Sequence, residues 1–350
     1  MYFEHVEFDS HEKILFIHDA VSNLRAIIAI HDTRLGPALG GTRFWNYADS
    51  ADALGDALRL SKGMTYKNAL AGLPFGGGKA VVLIDPAQGK SPALLRAYAE
   101  ALNQLDGQFI TGEDVGMTVA DVDQIRVHTP FIAGSSTTRA ASGDPSRFTA
   151  EGVYRCLLET AEVAFGSMDL NGARIGVQGL GAVGWKLAEK LYKAGATLLV
   201  SDLDRTKTRR AVDVFNAIET APEWIMRQEM DIFAPCGLGR ILSDESVAAL
   251  KAKAVAGAAN NQLSHPGVDQ FLSQRGILYA PDFVINAGGV LNVAAEAQGD
   301  YDCEKVMKQV HRIPKRLRSI FDRSKATGRS TGAIADVLAQ EILHQVNKAA

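Results

Sequence analysis

Arg174-Ile175-Gly176-Val177-Gln178-Gly179-Leu180-Gly181-Ala182-Val183-Gly184 reads as a short apolar strand running into a G-x-G-x-x-G turn, and Trp185 to Ala194 continues as a helix. Glycines at this spacing make the tight turn, admit a pyrophosphate to the backbone and pack helix on strand. The pyrophosphate would lie at the N-terminus of the helix beginning near Ala182, where free N–H groups and the helix dipole favour an anion. The next strand, Thr197 to Ser201, ends in Asp202. A carboxylate there can accept both hydroxyls of an adenosine ribose and repels a 2′-phosphate, so NAD is favoured over NADP. Arg205, close by, would soften that preference. Asp231 to Phe233, Lys253 to Gly257 and Ile277 to Ala280 add further short strands, each followed by a turn and a helix-like stretch. Repeated βα of this kind predicts a doubly wound parallel sheet.

Upstream, strands and helices also alternate. Ile14 to His18 and Ala26 to His31 are strand-like, and Ala51 to Leu60 carries Ala53, Leu54, Ala57, Leu58 and Leu60 at helical spacing, running on through Lys62. Ala80-Val81-Val82-Leu83-Ile84 suits a strand buried on both faces. Ser91-Pro92 starts another helix. From Ala133 to Ser146 the composition turns to Gly, Ser, Thr and Pro, which marks a domain boundary and hinge. The expected fold class is α/β with two domains separated by a cleft: an N-terminal α/β substrate domain over 1–133, completed by a C-terminal amphipathic helix at about 330–350, and a Rossmann dinucleotide-binding domain over 134–329.

Between the first helix and Ala80 stand two lysines, Lys67 and Lys79, the latter after Gly72-Leu73-Pro74-Phe75-Gly76-Gly77-Gly78. So much Gly and Pro argues for a loop rather than a strand interior. It is not a nucleotide P-loop, because Leu73 and Ala80 stand where that motif needs Gly and Ser/Thr. A charge opening an apolar strand is costly without a purpose. Burial and a second cation both favour a neutral lysine, so Lys79 is a candidate base.

The 350 residues suit two domains; 47% hydrophobic and 22% charged residues are ordinary for a globular protein, and a net charge of -3 leaves no basic footprint for nucleic acid. Cys156, Cys236 and Cys303 form no CxxC and read as reduced thiols of a cytoplasmic protein. The acidic N-terminus has no signal-like apolar core, and no run is long enough to span a membrane. Scattered histidines predict no metal.

Several longer stretches resemble the amino-acid dehydrogenases, the leucine/valine/phenylalanine branch of the glutamate dehydrogenase family. They are Leu35-Gly36-Pro37-Ala38-Leu39-Gly40-Gly41-Thr42-Arg43, Asp56-Ala57-Leu58-Arg59-Leu60, Lys62-Gly63-Met64-Thr65-Tyr66-Lys67-Asn68, Gly76-Gly77-Gly78-Lys79, Glu113-Asp114-Val115-Gly116, Ala259-Asn260-Asn261-Gln262-Leu263 and Tyr279-Ala280-Pro281-Asp282-Phe283-Val284-Ile285-Asn286-Ala287-Gly288-Gly289-Val290. The resemblance implies NAD-dependent oxidative deamination of an L-amino acid to a 2-oxo acid and ammonia, by a homo-oligomer (dimer or octamer). Carried over, Lys67 would hold the substrate carboxylate with Asn261, Lys79 would activate water as general base, and Asp114 would meet the amino group and shuttle protons. Gly40 and Gly41 would bring backbone close to the substrate. Thr149, Cys236 and Asn260 would join Gly179, Leu180, Gly181, Ala182, Val183, Gly184 and Asp202 around the cofactor.

The side-chain pocket implied by the resemblance is Leu39, Gly112, Val290 and Val293. It is apolar, which suits branched-chain substrates, leucine first and then valine and isoleucine, and argues against glutamate. Gly112 departs from the Ala usual in leucine-type members and is more typical of those acting on phenylalanine, so phenylalanine or tryptophan is the alternative substrate. A non-catalytic NAD- or amino-acid-binding protein is the remote one, because a sensor has no need of Lys67, Lys79 and Asp114 together.

Overall fold

The computed structural model describes residues 2–87, 89–136, 144–237, 239–299 and 301–346. The central part of the expected hinge, 137–143, lies outside the described residues.

The chain divides into two compact units, one of Met1–Asp144, Val290–Val306 and Ala339–Ala350, the other of Pro145–Gly289 and Met307–Leu338. The division differs from the sequence expectation at three places. Val290–Val306, inside the expected dinucleotide-binding domain of 134–329, group with the first unit. The first passage falls at Asp144/Pro145 rather than after Ala133, and the last helix, Thr331–Val346, is shared. Its first turns group with the second unit because Thr331 Oγ1 donates to the Tyr279 carbonyl at 2.6 Å and the Ala333 N–H to Asp269 at 3.1 Å. Its later residues group with the first, where Gln340 Nε2 donates to the Tyr66 hydroxyl at 3.1 Å.

In the first unit six strands form one mixed sheet: β1 (Lys13–Asp19), β2 (Leu24–Asp32), β3 (Ala38–Leu39), β4 (Thr42–Trp45), β5 (Gly76–Leu83) and β6 (Phe109–Ile110). Strand β5 is the axis. It pairs antiparallel with β2 along one edge, and on the other with β3 at Gly76–Gly77 and with β4 from Ala80 onward. One face is covered by helix α1 (Ser50–Ala71), whose Ala53, Leu54, Ala57 and Leu58 pack on Ile27, Ala29 and Val81. The other is covered by α2 (Pro92–Asn103) and α3 (Val119–Arg126), with Tyr98, Phe44 and Phe109 in the core.

The glycine run is therefore strand, not loop. The reason is contact on both faces, which leaves no room for side chains. A Cβ at Gly77 would stand 2.1 Å from the Thr65 nitrogen of α1, one at Gly78 2.7 Å from the Phe109 ring, and one at Gly76 1.9 Å from the Asp32 carbonyl oxygen. Only Gly72 and Pro74 belong to the turn, with Gly72 capping α1 at φ 70°. Helix α1 also runs past Lys62 to Ala71, so Lys67 is on a helix. Its late buried face is polar (Ser61, Thr65 and Asn68 are each 0% exposed), which hides the helical period from an apolar count. Asn68 Nδ2 ties the helix down, donating to the Gly76 carbonyl at 2.6 Å and to that of Leu39 at 3.2 Å.

The second unit is a parallel sheet of β7 (Arg174–Gln178), β8 (Thr197–Ser201), β9 (Ile218–Glu219), β10 (Ile232–Pro235), β11 (Ala254–Val255) and β12 (Leu278–Tyr279), in the order β12-β11-β10-β7-β8-β9. With β7 as the first strand, this is the doubly wound 3-2-1-4-5-6 order, whose ligands bind beyond the strand ends at the switch point beside strand 1. Helices α4 (Ser146–Phe165), α5 (Ala182–Lys193) and α6 (Arg205–Phe215) belong to this unit. Among the described residues no helix is long and apolar enough to cross a membrane.

The tight contact predicts an asymmetry between two glycines of this region. Gly77→Ala should lower the apparent melting temperature, costing about 1–3 kcal/mol or more through overpacking on α1. Gly63→Ala, mid-helix with nothing within 4 Å of the new methyl, should raise it slightly, by about 0.5–1 kcal/mol. Thermal unfolding of both variants checks this; equal effects would contradict the packing.

Candidate active site

Strands β3 and β4 are separated by Gly40-Gly41, opposite Gly78-Lys79 on β5. The break exists because a Cβ at Gly40 would stand 1.8 Å from the Gly78 carbonyl oxygen, and one at Gly41 2.9 Å from Asp114. In the structure these two glycines accommodate the protein's own backbone and Asp114, a use distinct from the approach to substrate expected of them. Alternation along β5 puts Lys79 on the face of Gly77 and Val81, toward α1.

Lys79 is 6% exposed, and its Nζ lies 2.5 Å from Asp114 Oδ2. The sequence pointed to Lys67 as its charged neighbour; the structure sets Asp114 against it. Lys67 is half-buried on α1. Asp114 has a second cation: Arg43 Nε is 3.3 Å from the same oxygen, while Arg43 Nη1 donates to Asp56 Oδ2 at 2.7 Å. Asp56 is held in turn by the Tyr47 hydroxyl at 2.8 Å and by Arg59. Burial alone would raise the Asp114 carboxyl, but the charges of Lys79 and Arg43 outweigh it and hold it at about 2. Asp114 is thus an anion throughout the physiological range. Burial and the Asp56 carboxylate push the Tyr47 phenol far up, so it remains a donor.

The Arg43–Asp56–Tyr47 network escaped sequence reading, although Arg43 and Asp56 sit in the quoted motifs. The contacts join residues distant in the chain, and charged residues at such spacing otherwise read as a solvated surface.

In the same unit Gly112 lies beside a pocket residue expected from sequence: a methyl added there would be 3.6 Å from Val293 Cγ1 and 3.3 Å from the Ala133 carbonyl oxygen. Its φ lies outside the left-handed region, so the backbone does not require glycine. Val290 and Val293 share one face of the helix Gly288–Ala297, three positions apart, and Leu39 is buried on β3.

In the second unit the turn after β7 fits a dinucleotide. Gly179, at φ 94°, crosses against Gly237, 2.6 Å from a would-be Cβ, and a Cβ at Gly184 would strike the Gly179 carbonyl oxygen at 1.9 Å. Gly181 instead faces open space and caps α5 without a side-chain hydrogen bond, leaving the first N–H groups of that helix for an anion. Leu180 is buried, Ala182 and Val183 begin α5, and Cys236 follows β10, its N–H donating to the Gln178 carbonyl at 2.7 Å. Asp202, at the end of β8, is beside the turn: its Oδ2 accepts the Leu180 N–H at 2.6 Å, and Lys207 Nζ stands 3.8 Å from Oδ1. Arg205 reaches Glu219 instead, at 3.4 Å.

Thr149 is half-buried near the start of α4, its Oγ1 2.8 Å from where a Cβ on Gly289 would stand. Asn260 Oδ1 accepts from Asn286 Nδ2 at 2.8 Å, and Asn261 adopts φ 51° with its carbonyl accepting the Arg240 N–H at 2.6 Å. Asn286, quoted above only within the stretch Tyr279 to Val290, thus helps to orient Asn260.

Known proteins resemble the chain over nearly its whole length. Residues 11–130 match the profile described as Glu/Leu/Phe/Val dehydrogenase, dimerisation domain, and residues 199–349 that of Glutamate/Leucine/Phenylalanine/Valine dehydrogenase. Leucine dehydrogenase of Geobacillus stearothermophilus is 47% identical over 347 residues, covering 99% of this chain and 94% of its own. Valine dehydrogenase of Streptomyces virginiae is 43% identical over 340 residues, 96% of this chain and 95% of that one. The crystal structure of L-tryptophan dehydrogenase from Nostoc punctiforme superposes with a TM-score of 0.84 at 42% identity, covering 99% of this chain and 100% of that one. With both profiles on the chain and relatives this similar over nearly their full length, the protein belongs to the Glu/Leu/Phe/Val dehydrogenase family of amino-acid oxidoreductases.

Proposed function

We propose that the protein catalyses the reversible NAD-dependent oxidative deamination of a branched-chain L-amino acid, leucine first, to the 2-oxo acid and ammonia. The observation that carries this reading is the buried Lys79–Asp114 pair, with Lys79 held on β5. Lys67 holds the substrate carboxylate, and Asn261 is assigned to the same group. Asp114 takes the substrate amino group. A substrate ammonium competes with Lys79 for this one carboxylate. NAD supplies the hydride acceptor for Cα. The substrate nitrogen would lose a proton by way of Asp114 before Cα gives up its hydride, leaving an iminium. Lys79 would take a proton from water as its oxygen attacks the iminium carbon and pass it to the nitrogen, which leaves as ammonia while the carbinolamine hydroxyl proton goes to Asp114. Thr149, Cys236 and Asn260 line the cofactor, with Gly179 to Gly184 at its pyrophosphate and Asp202 at its adenosine ribose.

NAD rather than NADP is supported by the Asp202 carboxylate beside the turn. Leucine is supported by the apolar set Leu39, Val290 and Val293 and by the identity to leucine dehydrogenases. The missing methyl at Gly112 beside Val293 favours a second reading, phenylalanine or tryptophan. The exposed edge strand β1 and the dimerisation-domain profile support a homo-oligomer.

Lys79→Ala should abolish turnover of leucine while NAD binding stays intact, with the loss in kcat. Near-normal turnover would remove the base from its role. Asp202→Ser should shift the ratio of kcat/KM values toward NADP, and it should also weaken NAD binding, since the same carboxylate holds the Leu180 N–H. An unchanged cofactor ratio would mean the ribose is read elsewhere. Gly112→Ala should depress kcat/KM for phenylalanine more than for leucine by about 1–3 kcal/mol, the range for one methylene-sized change in an apolar pocket. Equal losses would take the aromatic substrates out of contention.

A further inference from the structure

We propose that Arg43 is a positioning residue for this reaction, the fixed cation that keeps the Asp114 carboxylate aimed and charged while Lys79 gives up its proton. The inference rests on the function proposed above. Arg43 Nε and Lys79 Nζ meet the same oxygen, Asp114 Oδ2, at 3.3 and 2.5 Å. The other end of the guanidinium is anchored: Nη1 is 2.7 Å from Asp56 Oδ2 on α1, and Asp56 is fixed by Tyr47 and Arg59. The three members are 20% (Arg43), 14% (Asp56) and 16% (Asp114) exposed at their side chains, too sheltered for an ordinary surface ion pair.

A purely structural tie is the competing explanation, and the backbone argues against it. Strand β4 is paired with β5 from Thr42 to Trp45, and the segment carrying Asp114 is bonded to β4 on both sides of it. The Thr42 N–H donates to the Gly112 carbonyl at 3.0 Å and the Phe44 N–H to that of Val115 at 2.9 Å. Main-chain bonds therefore locate Asp114 without help from Arg43. What the guanidinium adds is charge and direction at the carboxylate.

The chemistry gives that addition a use. Asp114 has to exchange Lys79 for the substrate nitrogen, and Lys79 has to pass through its neutral form. Lys79 is a titratable partner, whereas a guanidinium keeps its charge at any working pH. The charged and titratable groups around the carboxylate are Lys79 from β5, Arg43 from β4 and Glu113 beside it in the chain. Behind Arg43 stand Asp56 and Arg59 from α1 and Tyr47. With Arg43 removed, the carboxylate binds the proton shared with Lys79 more firmly, and a higher pH is needed to free the base.

Full-length Arg43→Gln, Arg43→Lys and Asp56→Asn would be compared with the unsubstituted protein, using leucine and NAD and recording kcat, KM and the pH profile of kcat/KM. Arg43→Gln should lower kcat on the order of a hundredfold, as for a misplaced catalytic group, with KM little changed. Its acid limb should move up by about one pH unit, as when a nearby cation is lost. Arg43→Lys should return the limb to its original pH while recovering part of kcat. Asp56→Asn should lower kcat with the limb unmoved, because the charge stays and the aim is lost. An acid limb in Arg43→Gln at its original pH, or equal losses in the Gln and Lys variants, would overturn the proposal in favour of a structural tie. If Arg43→Gln does not fold, Asp56→Asn decides, and an undiminished kcat there overturns it. No turnover of any amino acid by the unsubstituted protein would sink the proposed function and this inference together; the outcomes above sink the inference alone.

Discussion

A lysine on the central strand of a packed sheet has to be given an anion, and the first unit is arranged around that need. Lys79 is enclosed by β2, β4 and α1, and Asp114 is brought to within ion-pair distance of it across the Gly40-Gly41 break. Leaving either charge without the other would cost about 3–5 kcal/mol, the usual penalty for breaking a buried pair. The glycines follow from the same constraint. Gly77 and Gly78 let α1 and Phe109 close on the strand, Gly76 leaves room for the Asp32 carbonyl, and Gly40 lets the facing chain cross the Gly78 carbonyl. Their absence of side chains fixes where the charge sits, so a feature read as freedom for the backbone is a device of rigidity.

The second unit solves a different problem with the same residue type. Gly179 and Gly184 are consumed by packing of turn on helix, and Gly181 alone is left open beside the uncapped start of α5. Asp202 does two things there: it holds the Leu180 N–H and presents a negative charge where an adenosine ribose would lie. The cofactor preference proposed above and the shape of the turn would therefore be linked through one carboxylate, which also has Lys207 Nζ 3.8 Å away.

How far the sequence reveals this depends on the range of the interactions involved. The strands from β7 to β8, the Gly179–Gly184 turn and α5 are legible because their signals are local: an apolar run, a glycine spacing, an acid at the next strand's end. Helix α1 beyond Lys62 is not, because Ser61, Thr65 and Asn68 fill its buried face with polar groups whose partners are far away in the chain. The strand character of Gly76–Gly78 is hidden for a related reason, since what makes glycine necessary there is contact from Thr65, Phe109 and Asp32. Lys79 and Asp114 were identified from motifs, but their pairing, and the Arg43–Asp56–Tyr47 chain behind it, emerge only when strands and helix come together. The split of the last helix likewise depends on Thr331 and Ala333 finding Tyr279 and Asp269.

The central claim is that this fold uses a lysine–aspartate pair to oxidise an L-amino acid with NAD. The most direct measurement is the initial rate of NADH formation by the purified protein with each of the twenty amino acids, repeated with NADP. The account predicts reduction of NAD with leucine, valine and isoleucine, leucine giving the highest kcat/KM, and much slower reduction of NADP. Turnover of glutamate in preference to all apolar amino acids, or reduction of neither cofactor by any of them, would contradict it.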